Sequence, residues 1–273
     1  MSHRWPRTAF WAGAVLSSLF LLVCLVGMVW TPYDPAHLDI VHKLAPPSLA
    51  HWCGTDQLGR DVLSLLMAGA ANSLGVALLA VAIGAGLGIP LGLWASAGGS
   101  TVDELLMRGN DIVFAFPALL LAILFTAVLG PGAVTAILAI GIFNIPVFAR
   151  ITRGDARSLW QRDFARAAQV AGRSRFAISL EHILPNLAGT LVIQAMLQLS
   201  LGVLAEAALS YLGLGAQPPA PSWGRMLNEA QTLTALAPTL ALFPGLIIVL
   251  SVLGLNLLGD ALRDRLDVRM ART

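Results

Sequence analysis

Five long stretches of this 273-residue chain contain no Asp, Glu, Lys or Arg, and they restrict the possible folds more than any other feature. A helix needs about 20 apolar residues to cross the hydrocarbon core of a bilayer. Each stretch is long enough for one span, and the third is too long for a single helix. The sequence therefore predicts an all-α polytopic membrane protein with six transmembrane helices. The stretches are Phe10–Trp30, Val62–Val102, Ile112–Ala149, His182–Ala205 and Ala230–Gly259.

Turn residues place the ends of the predicted spans. The run 130–132, Gly-Pro-Gly, divides the third stretch, because glycine and proline together favour a tight turn. In the second stretch we expect a helix over Leu74–Ala95, with Val62–Ser73 as an approach segment. Pro185 marks the start of the fifth span, since proline is tolerated in a first helical turn. The sixth span is expected over Leu240–Leu258. Prolines expected to kink helices are Pro90, Pro117, Pro146 and Pro244.

The first apolar stretch is longer than the apolar part of a signal peptide, about 7 to 15 residues, and no small-x-small cleavage pattern precedes Trp30. We therefore expect a retained span. The predicted organisation has residues 1–70 as a transmembrane helix with an extracytoplasmic segment, 71–262 as the membrane core, and 263–273 as a cytoplasmic tail. The core contains a cytoplasmic loop over residues 150–186.

Composition excludes several classes of soluble protein. Only 12% of the residues are charged, about half the share in a soluble domain, so an ordinary soluble enzyme is excluded. The single lysine, Lys43, is not part of a G-x-x-x-x-G-K loop, so the sequence predicts no nucleotide-binding P-loop. Cys24 and Cys53 form no C-x-x-C pair and cannot build a disulfide framework.

The basic residues predict the orientation of the chain. With the N-terminus inside, 14 of the 17 basic residues fall in cytoplasmic segments, and only Lys43, Arg60 and Arg225 fall outside. This asymmetry follows the positive-inside rule and predicts that both termini are cytoplasmic. The basic loops therefore need no nucleic-acid partner to explain them.

Small residues recur along the second span. Ala80, Gly84, Gly88 and Gly92 are four residues apart, and such a strip lets another helix approach closely within a membrane. Asn144 and Asn256 are expected to form hydrogen bonds between helices.

The loop 150–186 contains a short amphipathic pattern. Phe164, Ala167, Ala168 and Ala171 recur at i, i+3, i+4 and i+7, which predicts a short helix with a small apolar face. Gly172 suits the left-handed position that ends such a helix, and Ser174 can cap a second one. The pattern alone fits docking into a partner and lying on the inner leaflet equally well.

Three motifs resemble one family. The run from Arg166-Ala167-Ala168 through Gly172 to His182-Ile183-Leu184-Pro185 resembles the cytoplasmic loop of ABC importer permeases, whose pattern is E-A-A, three residues, G, nine residues, a variable position or Ile, one residue, and L-P. Arg166 replaces the Glu of that pattern, which reverses a charge. Residues 54–64, GTDQLGRDVLS, and residues 204–215, LAEAALSYLGLG, followed by Pro-Ser-Trp-Gly at 221–224, are similar to the C-type permeases of dipeptide, oligopeptide and nickel importers. The resemblance covers nearly the whole chain from Pro32 onward.

The resemblance implies a type I ABC importer (MetI-like) permease fold, with this chain forming half of a heterodimeric pore beside a B-type permease. Two separate ATPase subunits would bind ATP and Mg, and an extracytoplasmic binding protein would deliver the cargo. The chain itself would be no enzyme and would hold no cofactor. Residues expected to couple it to an ATPase are Phe164, Arg166, Ala167, Ala168, Gly172 and Pro185.

Glu206 is the only carboxylate well inside a predicted span. A buried ionisable group in a membrane is a functional candidate, so Glu206 is a candidate for the translocation pathway. A structural hydrogen-bonded group is the alternative. Gln194 and Gln198 lie one turn apart on the same helix and would continue a polar stripe.

The segment between the first two spans is rich in histidine and carboxylate side chains. Their spacing matches no ligand set on one helix face, so no metal site is predicted. The segment is expected to pack over the pore mouth or to meet a binding protein. The residues are Asp34, His37, Asp39, His42 and His51.

Two other classes were weighed against a permease. An intramembrane protease is excluded, because no Ser and His can meet inside the bilayer. A proton-coupled secondary transporter using Glu206 is the stronger rival, but such carriers usually contain two repeated halves, and none is visible. The cargo stays open among dipeptides, oligopeptides, glutathione, opines and nickel chelates.

Overall fold

The computed structural model describes residues 7–270, with side chains from residue 10 to residue 264, and these residues are almost entirely helical. The helices are α1 (Arg7–Val29), α2 (Val62–Ala97), α3 (Ser100–Ala115), α4 (Ala118–Leu129), α5 (Ala133–Trp160), α6 (Asp163–Val170), α7 (Arg175–Ile178), α8 (Leu184–Tyr211), α9 (Trp223–Ala230) and α10 (Thr239–Met270). A π-helical segment, Ser179–Ile183, joins α7 to α8. Arg4 and Arg272, two of the basic residues that predicted orientation, lie outside the described residues.

The all-α polytopic fold is confirmed. Five described helices are long and apolar enough to cross a membrane, and α3 with α4 make a sixth span if this bent pair is counted as one. Residues 175–211 act as one long helix of 37 residues that includes α7, the π segment and α8.

Two details of the predicted spans were wrong. The chain breaks at Pro117, where only a kink was expected: α3 and α4 meet there at 80°, because the residue before a proline avoids helical dihedrals, and Phe116 is extended with ψ 120°. α4 alone, at about 18 Å, is too short to cross the bilayer. The expected approach segment Val62–Ser73 is instead the first third of α2, which is one helix of 36 residues. Asp61 caps it by accepting the N–H of Ser64 (2.8 Å).

The small-residue strip of α2 packs against α5. A Cβ on Gly88 would lie 2.5 Å from the carbonyl oxygen of Ile145, and a Cβ on Gly92 would lie 2.5 Å from that of Ala149. Gly84 faces Asn144 in the same way. The strip therefore allows a backbone approach that no other residue permits, as the spacing predicted.

The molecule has two ends that carry the polar segments. At the first end, which we call the α6 end, α7 lies beside the last turn of α2, and α6 contacts α5 and α7. At the opposite end, the α9 end, residues 31–61 pack beside α9. Trp223, fully buried at the start of α9, donates its indole N–H to the carbonyl of Leu66 in α2 (2.9 Å) and packs on Phe20 of α1.

Candidate functional site

α6 is a short helix that ends at a glycine. Gly172 has φ +81°, in the left-handed region. Its N–H donates to the carbonyl of Gln169 (3.0 Å), and the N–H of Arg173 donates to the carbonyl of Ala168 (3.1 Å). These two bonds form a Schellman motif, which fixes where α6 stops. The predicted role of Gly172 as a helix terminator is confirmed.

One side of α6 packs against other parts of its own chain. Ala165 is fully buried in an apolar cluster with Ala156 of α5 and with Ile178 and Ile183 beyond α6. Ala168, one turn later, is partly buried against the same cluster. Sequence reasoning placed Ala168 on the outward face and missed Ala165, although the i, i+3 spacing of the two alanines was visible.

The rest of α6 is exposed and carries apolar side chains next to Asp163, Arg166 and Gln169. Phe164 is 40% exposed and Val170 is 91% exposed, and Ala167 and Ala171 are also exposed. We call Phe164, Ala167, Val170 and Ala171 the α6 surface. The ring of Phe164 meets that of His182 edge-on, with centroids 6.4 Å apart. An exposed apolar patch at the tip of a membrane protein is typical of a docking site.

The segment after α6 is held by polar contacts. Ser174 accepts the N–H of Ala177 (3.2 Å) and so caps α7, as predicted. Arg173 pairs with Glu181 in the π segment. Pro185 lies exposed in the first turn of α8. π segments inside helices often mark functional sites, because they interrupt the regular hydrogen-bond ladder.

Several arginines at the α6 end have no acidic partner. Arg162, Arg166 and Arg175 form no salt bridge with any residue that the structure describes. Arg175 donates to the carbonyl of Ala97, at the end of α2, where a cation is favoured by the helix dipole. The predicted coupling residues thus lie in one exposed region, except that Ala168 is partly buried.

A buried acid fastens α3 to α5 near the same end. Asp103, in the first turn of α3, is 6% exposed and accepts two hydrogen bonds from Arg153 and one from Arg157. Arg150 pairs with Asp111 (2.6 Å) and covers the ring of Phe114. Sequence reasoning explained these arginines only by topology, since nothing in the sequence showed that α3 is a helix that they could reach.

Glu206 is completely enclosed in this conformation. Its Oε1 accepts the hydroxyl of Ser210 (2.6 Å), and Ser210 in turn accepts the N–H of Ala216 (3.1 Å). The hydroxyls of Ser73 and Ser222 also lie near the carboxylate, but its Oε2 accepts no hydrogen bond of good geometry within the described part of the chain. The hydrogen bond of Glu206 therefore lies within α8, and Ser210 links it to the turn at Ala216.

The two glutamines named with Glu206 differ in exposure. Gln198 is buried, and Gln194 is partly exposed. Both lie on α8, between the α6 end and Glu206. The structure places the three side chains along one helix, but Glu206 is enclosed rather than open along a path.

At the α9 end, polar contacts join the residues before α2 to α9. They come from residues 54–61, GTDQLGRD. Asp56 accepts the N–H of Leu58 and of Arg60, and pairs with the Arg60 side chain (2.6 Å). Arg60 also reaches Glu229 (3.0 Å), which pairs with Arg225 (2.8 Å). The run therefore ties residues 31–61 to α9.

The histidines of this end pair with acids. His51 contacts Asp61 through Nδ1 (2.9 Å), and its ring stacks on Tyr33 with centroids 4.7 Å apart. His42 contacts Asp39 (2.7 Å), which holds the pKa of that carboxyl below its usual value. Burial and the nearby Asp61 raise the pKa of the Cys53 thiol. Among the described residues, no group of three or more His, Cys, Asp or Glu could hold a metal ion.

These features define a class: a polytopic α-helical membrane protein with a short exposed helix, α6, at one end. The family described as "Binding-protein-dependent transport system inner membrane component" matches residues 88–272. The glutathione transport system permease protein GsiD of Pectobacterium atrosepticum is 40% identical over 280 residues, covering 98% of this chain and 93% of the relative. GsiD of Escherichia coli O6:K15:H31 is 43% identical over 278 residues, covering 98% and 92%.

The fold has a solved counterpart. A chain of the MetNI methionine ABC transporter in inward-facing conformations superposes with a TM-score of 0.56 at 18% identity, covering 72% of this chain and 96% of that one. The chain belongs to the binding-protein-dependent transport system inner membrane component family. It is a permease of an ABC importer.

Proposed function

We propose that this permease forms half of a pore beside a distinct B-type permease, and that the α6 surface docks into a cleft of an ATPase subunit. The protein lies in a bacterial cytoplasmic membrane with the α6 end and both termini in the cytoplasm. Two ATPases on that side bind ATP with Mg, and a binding protein delivers cargo at the α9 end.

The observation that carries this proposal is the two-sided packing of α6. Ala165 holds the helix on its own chain, while Phe164, Ala167 and Val170 remain exposed. A helix that packs on its own chain with one side and is exposed on the other can pass a displacement caused by a bound partner to the spans. The positive-inside distribution of arginines supports the cytoplasmic location of this end.

Contacts from α6 lead into the spans by two routes. The Ala165 cluster connects α6 with α5, which packs on α2 along the glycine strip. Arg175 connects α7 with the last turn of α2. Movement of α6 toward a closing ATPase pair would therefore turn α2 and α5 together, and such rigid shifts are a usual way to switch access in transporters.

Arg166 is exposed and forms no salt bridge in the described part of the chain, although the family pattern has a Glu there. We infer that the ATPase cleft of this importer presents an acidic side chain at that point. Charge complementarity of this kind selects the correct partner more than it adds affinity.

The proposed cargo is a small peptide of the glutathione kind, supported by the relatives named as glutathione permeases. Dipeptides, oligopeptides, opines and nickel chelates are the competing cargoes. Since selectivity rests largely with the binding protein, the cargo follows from what that protein binds.

The test is ATP-driven uptake into vesicles by the complex purified through a tag on this chain. We expect labelled glutathione to accumulate only with internal ATP and the binding protein. Ala167→Glu, on the α6 surface, should remove uptake while the chain remains assembled with its partner permease. Glu104→Gln, at an exposed pair with Arg108 on α3, is the control and should transport normally. Uptake driven by a proton gradient without ATP would contradict the proposal, and uptake of dipeptide instead of glutathione would change only the cargo.

A further inference from the structure

A large groove opens at the α6 end, beside α6 but separate from the α6 surface. Its volume is about 570 Å³, and it lies between the last turns of α2 and the start of the long helix 175–211. Both walls are apolar, and Trp94 and Phe176 are 60% and 74% exposed on them. The apolar lining residues are Ile89, Pro90, Leu93, Trp94, Ala97, Phe176, Leu180 and Leu184.

Two polar side chains line the same groove. Arg175 donates one N–H to the carbonyl of Ala97 and forms no salt bridge with any described residue. Most of its five guanidinium N–H donors are therefore available to a ligand. Ser179, one turn further along, is only 4% exposed, and its Oγ has no hydrogen-bond partner in the described part of the chain. A buried hydroxyl without a partner is costly, so a ligand that supplies an acceptor there gains affinity.

The order of these groups follows the order of groups in a phospholipid. The α2 wall runs from Gly98 back to Ile89, about 14 Å along the helix axis at the usual helical rise. That length is close to half of the ~30 Å hydrocarbon core, which is the depth of one leaflet. Arg175 lies beside the last turn of α2, Ser179 follows, and the apolar residues lie beyond. Trp94 is of the type enriched where a membrane meets water.

We propose that this groove binds one phospholipid with a net negative headgroup from the leaflet at the α6 end. The Arg175 guanidinium binds the phosphate, the Ser179 hydroxyl donates to an ester carbonyl, and an acyl chain fills the apolar part between Leu93 and Leu184. Residues 150–186 contain seven arginines and three acids (Asp155, Asp163 and Glu181), and this excess of positive charge at the α6 end favours an anionic headgroup over a zwitterionic one.

This site goes beyond the transport role and does not depend on the cargo. It depends only on the α6 end lying at a membrane face. The bound lipid would contact both α2 and α7, the same two elements that Arg175 joins. Its binding would therefore restrict movement of α7 relative to the last turn of α2.

The test measures bound lipid directly. The complex, purified through a tag on this chain, is placed in nanodiscs of phosphatidylcholine with a minority of phosphatidylglycerol, and retained lipid is then identified by native mass spectrometry. We expect retained phosphatidylglycerol in clear excess over its share in the disc. Arg175→Gln should lower its retention about tenfold, and Ser179→Ala severalfold, since each removes a hydrogen bond to the lipid.

Arg108→Gln is the matched control, because Arg108 is an exposed arginine on α3 that does not line the groove. It should retain lipid like the native chain. Retention of the two lipids by the native chain in proportion to their shares in the disc, or equal loss in Arg175→Gln and Arg108→Gln, would overturn the proposal. A photo-crosslinker at Leu93 that captures a polypeptide instead of lipid would also overturn it, since a protein would then fill the groove. Thermal stability of Ser179→Ala checks that lost retention is not misfolding.

Discussion

At the scale of single residues, Gly172 and Glu206 are restricted in different ways. Gly172 has a left-handed backbone, and open space surrounds the position where a Cβ would lie. Glu206, in contrast, is fully buried, and its carboxylate accepts one hydrogen bond, from Ser210. The first position is sensitive to backbone strain, and the second is sensitive to the loss of an acceptor.

Gly172→Val should loosen the end of α6. A left-handed conformation costs a residue with a Cβ about 1–2 kcal/mol, which corresponds to an opening population roughly 5 to 30 times larger. Hydrogen exchange of the Gly172 and Arg173 amides should therefore accelerate by that factor. Gly172→Asn is the control and should change exchange less, because Asn tolerates this conformation. Equal exchange in Val, Asn and native chains would contradict the assignment of a strained position.

Glu206→Gln should retain uptake within about twofold, because the Gln oxygen can still accept the Ser210 hydroxyl. Glu206→Leu should lower thermal stability by about 1–3 kcal/mol, since the buried Ser210 hydroxyl then loses its acceptor. Thermal unfolding and vesicle uptake on the same preparations separate the two effects. An assembled Gln variant without uptake would show that the carboxylate itself acts on the translocation pathway.

At the scale of elements, α2 and α5 form the rigid unit of the molecule. The strip that contains Gly88 brings α5 against the α2 backbone. Asp103 extends this unit by attaching α3 through Arg153 and Arg157. α3 is the half of the bent pair that carries charge, so its position depends on these polar contacts as well as on packing.

Gly88→Ala should destabilise the chain by about 1–3 kcal/mol, because the added carbon forces two helices apart. Gly86, two residues earlier on α2, has no atom within 4 Å of a built Cβ. Gly86→Ala should therefore be neutral or stabilise by about 0.5–1 kcal/mol through helix propensity. Thermal unfolding in detergent compares the two. A Gly88 variant as stable as the Gly86 variant would show that the close approach is absent.

Asp103→Asn should release α3 from α5, since it weakens the hydrogen bonds from both arginines. Limited proteolysis near Gly99 and Phe116, on either side of α3, should become faster. Glu104→Gln serves as the neighbour control, because its pair with Arg108 is mostly exposed and exposed pairs contribute little. If both variants resist protease like the native chain, packing alone holds α3.

At the scale of the whole molecule, the sequence predicted the spans well and their interruptions poorly. Hydropathy identifies a span because a bilayer demands about 20 apolar residues, whatever the neighbours are. The residue before a proline avoids helical dihedrals, but the sequence did not show whether Pro117 would kink the helix or divide it into α3 and α4. The Gly-x-x-x-Gly strip predicted a close helix contact but could not say that α5 is the partner.

In the candidate site, too, the sequence predicted some features and missed others. The sequence predicted the end of α6 at Gly172 and the cap at Ser174 to the residue, because the motifs that end and begin helices depend on local chemistry. The side of α6 that packs on the chain depends on tertiary contacts, which the motif does not show. Ala165, outside the motif, is buried, and Ala168, inside it, is partly buried. The groove of Arg175 and Ser179 was also invisible, since its two walls are some 80 residues apart in the chain.

Docking of the α6 surface into an ATPase subunit, as we propose, can be measured by site-specific crosslinking. A photo-crosslinking residue replaces Ala167 in the assembled complex within membranes, and a second preparation carries it at Leu105, an exposed residue of α3. We expect position 167 to capture the ATPase, more strongly when nucleotide is bound, and position 105 not to capture it. Capture of lipid alone at position 167, with ATPase subunits present in the complex, would contradict it.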